Sequence, residues 1–149
     1  MGLRAQPCNE KKKKKKHTMD IFATFASDEK AELAGQWFPL SKTAKVLVAR
    51  AGNTNYVVAL RKTIEKNQMD LSAGSAESEQ LAEQALVDVM SSTILLGWEG
   101  LSFQGKSVDY SVEMAKTMLR VKDFRKKISG FSDSFEAFRV KAEVEQGNA

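Results

Sequence analysis

The longest amphipathic stretch of the chain carries apolar residues at every third or fourth position. Its stripe consists of Leu81, Ala85, Val89, Thr93 and Leu96. This spacing predicts a helix, because 3.6 residues per turn bring such positions onto one face. Gly97 follows directly and is predicted to end the helix in a left-handed conformation. We expect this helix to form the centre of the core.

Two short strands are predicted upstream, on either side of Ser41-Lys42-Thr43. The first covers residues 36–40 and the second residues 44–50, where side chains alternate between two faces. Pro39 has no N–H to donate to a neighbouring strand, which places the first strand at an edge. Because a two-stranded ribbon is only marginally stable alone, it is expected to pack on helices.

Further helices are predicted on both sides of the longest one. Asn53 or Thr54 can cap a helix that runs to about Lys66, with charged residues turned outward. The apolar stripe of that helix is Tyr56, Val57, Leu60 and Ile64. Gln104-Gly105-Lys106 predicts a turn, and Ser111 can cap the next helix. Two shorter helices are expected to start at Asp123 and at Ser132 or Asp133.

Together these patterns predict an α+β fold that is mostly α. We expect a short N-terminal two-stranded β-ribbon packed on a bundle of four to five helices. The length favours one domain, residues 19–149, with a mobile loop near residues 67–76.

The positive charge of the chain is concentrated at its start. Residues 1–18 hold seven of the 23 basic residues and one of the 19 acidic ones, a net of +6. The whole chain carries +4, which leaves −2 for the rest. Because the six adjacent lysines 11–16 repel one another, residues 1–18 are expected to be a disordered appendage. A nuclear or nucleic-acid address is the alternative, because acidic partners and phosphates bind polybasic runs. Met19 is our expected biological first residue.

The side chains needed for several kinds of catalysis are scarce in the body. The single cysteine and single histidine, Cys8 and His17, both lie in the appendage. A histidine-based triad or a cysteine and histidine metal site therefore cannot form in residues 19–149. Residues 100–107 formally match a phosphate-binding loop, but the preceding segment is a predicted helix instead of a strand. We expect no catalytic residues, cofactor, metal or small-molecule substrate.

A basic patch near the C-terminus is a candidate nucleic-acid site. It consists of Lys122, Arg125, Lys126 and Lys127, with Phe124 and Phe131 nearby. Such a patch can contact phosphates, but it also suits the solvent face of a short helix. We favour the solvent face and expect no nucleic-acid partner.

Three segments in order resemble phage tail assembly chaperones of long-tailed phages and prophages. The first covers residues 45–56 and continues into Leu60-Arg61-Lys62, and the second covers residues 95–101. The third covers residues 105–111 and leads into Met118-Leu119 and Asp123-Phe124. Members often have proline after the serine, where this chain has Val112. That departure weakens only the predicted helix start.

The resemblance implies a non-catalytic assembly factor. Such proteins bind the tape measure protein, keep it soluble and help recruit tail tube protein around it. They act in the host bacterial cytoplasm and leave before the virion is finished, and many have a longer frameshifted form. No membrane partner is expected, and homo-oligomerisation stays open.

A chaperone of this kind needs apolar surface for its partner. The candidate partner-binding residues are Phe131, Phe135 and Phe138, followed by Trp98 and Phe103. Core packing is the alternative for each of them. Two other function classes remain: a minor virion structural subunit, expected to be richer in strand, and a small nucleic-acid-binding regulator, expected to carry a basic recognition helix.

Overall fold

The computed structural model describes residues 18–67 and 75–140, which form seven helices and five strands. The helices are α1 (Ile21–Thr24), α2 (Glu29–Ala34), α3 (Thr54–Asn67), α4 (Ala76–Thr93), α5 (Val112–Leu119), α6 (Lys122–Ser132) and α7 (Phe135–Phe138). The strands are β1 (Gln36–Pro39), β2 (Lys45–Val48), β3 (Leu95–Glu99), β4 (Ser102–Phe103) and β5 (Lys106–Ser107). The predictions for residues 1–17 and for most of the loop 67–76 lie outside the described residues.

The expected N-terminal two-stranded ribbon is wrong in position and in strand number. Two helices precede β1 and β2, which lie at residues 36–48, so the strands are mid-chain. A third strand joins them, and the antiparallel sheet has the order β1-β2-β3. The reason is that a two-stranded ribbon leaves one edge of β2 unpaired, and β3 supplies its hydrogen-bonding partner. Helices still dominate the described chain.

The longest helix ends earlier than its apolar stripe predicted. Helix α4 stops at Thr93, and Leu96 and Gly97 belong to β3. The hydroxyls of Ser91, Ser92 and Thr93 each donate to a carbonyl three or four residues earlier. Such bonds compete with the helical backbone and weaken it there. Gly97 therefore does not cap a helix, and it pairs with Leu47 of β2 instead.

The core lies where α4, α5 and α6 pack against one face of the sheet. Its most deeply buried members include Val46, Val48, Leu95, Leu119 and Ile128, each 0% exposed. Val89 of α4 is 2% exposed, whereas Leu81, at the start of the predicted stripe, is 49% exposed. The helix is thus central as predicted, but its first turns lie outside the core.

Several helix starts agree with the predicted caps. The Asn53 side chain accepts from the N–H of Tyr56 at 2.9 Å, and the Ser111 hydroxyl accepts from Met114 at 3.1 Å. The two later predicted caps are wrong. Helix α6 begins at Lys122 without a side-chain cap, one residue before Asp123, and α7 follows Ser134 instead of Ser132 or Asp133. At Asn53 and at Ser111 the capping hydrogen bond joins residues three apart, so the neighbouring sequence is sufficient to specify each cap.

The segment between β3 and α5 is a small hairpin. Strands β4 and β5 pair through a turn in which Gln104 and Gly105 both have positive φ, as expected for a two-residue type I′ turn. Gly100, before the hairpin, has φ +79°, and a Cβ there would overlap the backbone of Thr43. The close approach of these two segments therefore requires glycine.

Candidate functional site

Trp98 lies in the core of this fold. It is 6% exposed, and its indole Nε1 donates to the carbonyl of Val108 at 3.0 Å. Its ring meets Tyr110 edge-on, with 4.9 Å between the ring centroids. The Tyr110 hydroxyl in turn donates to the carbonyls of Leu95 at 2.7 Å and Ser91 at 3.1 Å. Trp98 and Tyr110 therefore join β3, α4 and the segment that leads into α5.

Phe138 is also buried, at 0% exposure. Its ring lies 6.2 Å from that of Phe38 and 5.6 Å from the guanidinium carbon of Arg50. Phe131 is half-buried and stacks on Phe38 with 4.6 Å between centroids. These two aromatic residues attach α6 and α7 to the outer strand β1. Phe103 is half-buried and lies in strand β4 of the hairpin.

Phe135, another predicted partner-binding residue, contacts an exposed apolar segment near the N-terminus. It is half-buried, and its ring lies 5.4 Å from that of Phe25 at a tilt of 43°. The guanidinium carbon of Arg139 lies 5.8 Å from the centroid of the Phe135 ring. The Nη1 of Arg139 also lies 3.3 Å from a carboxylate oxygen of Glu136. Phe135 was among the predicted partner-binding residues, and Phe25 was not.

Backbone pairing holds the two ends of the described chain together beside Phe135. The N–H of Asp28 donates to the carbonyl of Phe138 at 2.7 Å, and that of Val140 donates to Ala26 at 3.0 Å. Ser27 and Arg139 form an antiparallel bridge between these bonds. The segment that carries α1 is therefore fixed next to α7.

Helix α1 and its flanks expose large apolar side chains. The exposed fractions are 62% for Met19, 58% for Ile21, 89% for Phe22 and 56% for Phe25. Asp20 caps the helix by accepting from the N–H groups of Phe22 and Ala23. We call Met19, Ile21, Phe22, Phe25 and Phe135 the N-terminal apolar surface. Single exposed apolar residues are ordinary, whereas four large ones within residues 19–25 are an unusual concentration.

A sequence signal for this surface existed. Asp20 is followed by Ile-Phe-Ala-Thr-Phe, a capping residue ahead of an apolar run too short to form a stable helix by itself. Such a run needs either a core or a partner to cover it. Its pairing with Phe135 could not be read from the sequence, because the two segments are more than one hundred residues apart.

The basic patch of α6 is partly engaged in packing. The Nη1 of Arg125 donates to the carbonyl of Leu119 at 2.8 Å and lies 3.5 Å from a carboxylate oxygen of Glu83. The Lys127 ammonium lies 5.3 Å from the centre of the Phe131 ring. Arg125, whose side chain is 12% exposed, is therefore held in packing contrary to expectation, whereas Lys122, Lys126 and Lys127 lie on the solvent face of the helix.

The formal phosphate-loop match falls on the β4–β5 hairpin. Ser107 ends β5, and the next helix starts only at Val112. A phosphate loop needs a helix N-terminus directly behind its serine, so residues 100–107 lack that geometry.

A small cavity of about 210 Å³ lies between the start of α3, α4 and α6. Its walls include Tyr56, Leu86, Met90 and Asp133. Ligand sites in proteins usually span about 300 to 1,000 Å³, so this cavity is small for a drug-sized ligand. Within residues 18–67 and 75–140, no group of three His, Cys, Asp or Glu side chains is placed to hold a metal ion. Among the helices in these same ranges, none has the length and apolar character to cross a membrane.

Comparison with known proteins gives one family match. The model of the YdaY prophage protein family matches residues 51–148, from the start of α3 to near the end of the chain. The N-terminal apolar residues Met19 to Phe25 lie outside that range. No curated protein and no solved structure matches the chain. Since the family model covers well over half of the sequence, the chain belongs to the YdaY prophage protein family.

Proposed function

We propose that this prophage protein is a non-catalytic phage tail assembly chaperone. It binds the tape measure protein in the host cytoplasm, keeps it soluble and helps recruit tail tube subunits. The observation that carries the proposal is the N-terminal apolar surface, on which Phe22 keeps 89% of its area exposed. Two further findings support it: three segments within residues 45–124 resemble such chaperones in the same order, and the chain belongs to a prophage protein family.

The chemistry of this surface suits an apolar helical partner. A long tape measure helix exposes an apolar stripe until the tail tube covers it, and a chaperone must cover that stripe in the meantime. Burying one large side chain such as that of Phe22 contributes roughly 1.5 to 3 kcal/mol. Several neighbouring apolar side chains therefore supply affinity without any buried charge.

Co-expression with the tape measure protein of the same prophage tests the proposal. The wild-type chain should convert that protein from insoluble to soluble and should co-purify with it. Phe22→Ser and Phe135→Ser should abolish this rescue, because each replaces an apolar contact by a hydroxyl. Circular dichroism should show that both variants stay folded.

Val121→Ser is the matched control. Val121 is 59% exposed but lies outside the N-terminal apolar surface, so its replacement should leave rescue intact. A wild-type chain that neither solubilises nor retains the tape measure protein would contradict the proposal. Detection of the chain in purified virions would instead favour a structural subunit.

A further inference from the structure

One face of α3 is apolar, only partly covered by the fold and bordered by two opposite charges; Leu60 and Ile64 on this face are half-buried. A shallow depression of about 380 Å³ on this face is lined by Val57, Leu60, Arg61, Ile64 and Glu65. No residue of α3 is buried, and Val57 keeps 42% of its area exposed. The apolar stripe predicted for this helix is therefore only partly used by the fold.

We propose that this face of α3 binds the same face of a second copy of the chain. The two helices pack antiparallel about a two-fold axis that passes near residues 62 and 63. In such a pair, residues equally far from the axis in opposite directions face each other. Leu60 of each copy then lies against Ile64 of the other, so the apolar stripes cover one another.

The charges beside the stripe fit the same arrangement. Arg61 and Glu65 border the depression four positions apart, and within the described part of the chain neither forms an ion pair. An axis midway between residues 62 and 63 also brings Arg61 of each copy close to Glu65 of the other. Each of the two pairings is then offset by one residue, about 1.5 Å along the helix, which an arginine side chain spans.

The size of the contact sets its strength. Helix α3 has 14 residues, which corresponds to a length of about 21 Å. A pair of such helices buries less than the roughly 1,200 Å² of a standard stable interface. We therefore expect a weak dimer that forms as the concentration rises. This inference does not depend on the proposed function, since α3 and the N-terminal apolar surface share no residue.

Sedimentation equilibrium of the purified full-length chain tests the dimer. The mean molar mass should rise from 16.5 kDa toward twice that value between micromolar and submillimolar concentrations. Arg61→Glu and Glu65→Arg should each raise the dimer Kd roughly tenfold, because each turns two symmetric attractions into repulsions. The double exchange should return the Kd to near the wild-type value.

Lys62→Glu is the matched control, because it changes the charge of α3 as much as Arg61→Glu does. Lys62 is exposed and lies outside the depression, and being two positions from both Leu60 and Ile64 it lies on the opposite side of the helix from them, so the Kd should stay unchanged. A chain that stays monomeric at all concentrations overturns the proposal. A dimer insensitive to the exchanges also overturns it, since another surface would then hold the copies together. If the chain is monomeric and the exchanges impair rescue of the tape measure protein, α3 binds that protein instead.

Discussion

At the scale of single residues, Tyr110 shows how one polar group connects separate elements. Its hydroxyl donates to carbonyls at the end of α4 and the start of β3, the point where the helix gives way to the strand. Its ring packs on Trp98. Burial raises the pKa of Tyr110 above its ordinary value of 10.0, because the charged phenolate is poorly solvated there.

Replacing Tyr110 by phenylalanine should lower the free energy of unfolding by about 1 kcal/mol, since two carbonyls lose their shared donor. The folded-state pKa is raised, so the contribution is fully present below pH 10.0 and is lost as the pH rises through the folded-state pKa. Wild type should therefore lose stability more steeply than Tyr110→Phe above that pH. Urea unfolding at a series of pH values below and above 10.0 measures the free energy of unfolding of both proteins. Parallel pH profiles of that free energy would contradict the expectation.

Gly100 and Gly105 form a second pair of residues that can be compared directly. Both have φ near +80°, but only at Gly100 would a Cβ meet another segment, the backbone of Thr43. Gly105→Ala should cost about 1 to 2 kcal/mol from the left-handed conformation. Gly100→Ala should cost roughly 1 to 3 kcal/mol more from the overlap. Equal urea midpoints for the two variants would show that the Thr43 contact is unimportant.

At the scale of elements, α4 is divided between a solvated start and a buried end. Its N-terminal turns carry Glu77 and Glu79 beside the positive end of the helix dipole, and Ser75 caps it. Its later turns contact β3 and α5, and they bury Val87, Val89 and Met90. The apolar stripe of α4 therefore contributes more to the stability of the fold at its C-terminal end than at its N-terminal end.

Val89→Asp and Leu81→Asp measure this difference. The first should unfold the chain, because an unpaired charge at a 2% exposed site costs several kcal/mol against a total stability of about 5 to 15 kcal/mol. The second should retain the helical circular dichroism of the wild type, since Leu81 is half exposed. A folded Val89→Asp variant would be inconsistent with a core centred on α4.

At the scale of the whole molecule, the two ends of the described chain meet around Phe138. The backbone bonds between residues 26–28 and 138–140 close the fold, and Phe138 fills the space beneath them. The N-terminal apolar surface depends on this closure, because α1 lies directly before the paired segment.

Phe138→Ala should lower the free energy of unfolding by roughly 3 to 5 kcal/mol, since it leaves a cavity at a fully buried site. Phe22→Ala removes the same atoms from an 89% exposed site and should change the free energy of unfolding by less than about 0.5 kcal/mol. Chemical denaturation of the two variants compares them. Similar losses would mean that Phe22 is packed in the folded protein.

The sequence by itself determined the features that depend on neighbouring residues. The caps at Asn53 and Ser111, the turn at Gln104-Gly105 and the strands β1 and β2 all follow from bonds or patterns within a few positions. Local geometry decides such features, so a short window of sequence is sufficient.

Only the tertiary structure decided the features that join distant residues. Leu95 to Glu99 is apolar enough to extend a helix, and it becomes a strand because β2 offers an unpaired edge. In the same way, nothing near Phe135 in the sequence indicates that Phe25 lies against it, or that Phe138 is buried while Phe22 is not. Pairing and burial depend on which segments the folded chain brings together, and a local pattern of apolar residues does not contain that information.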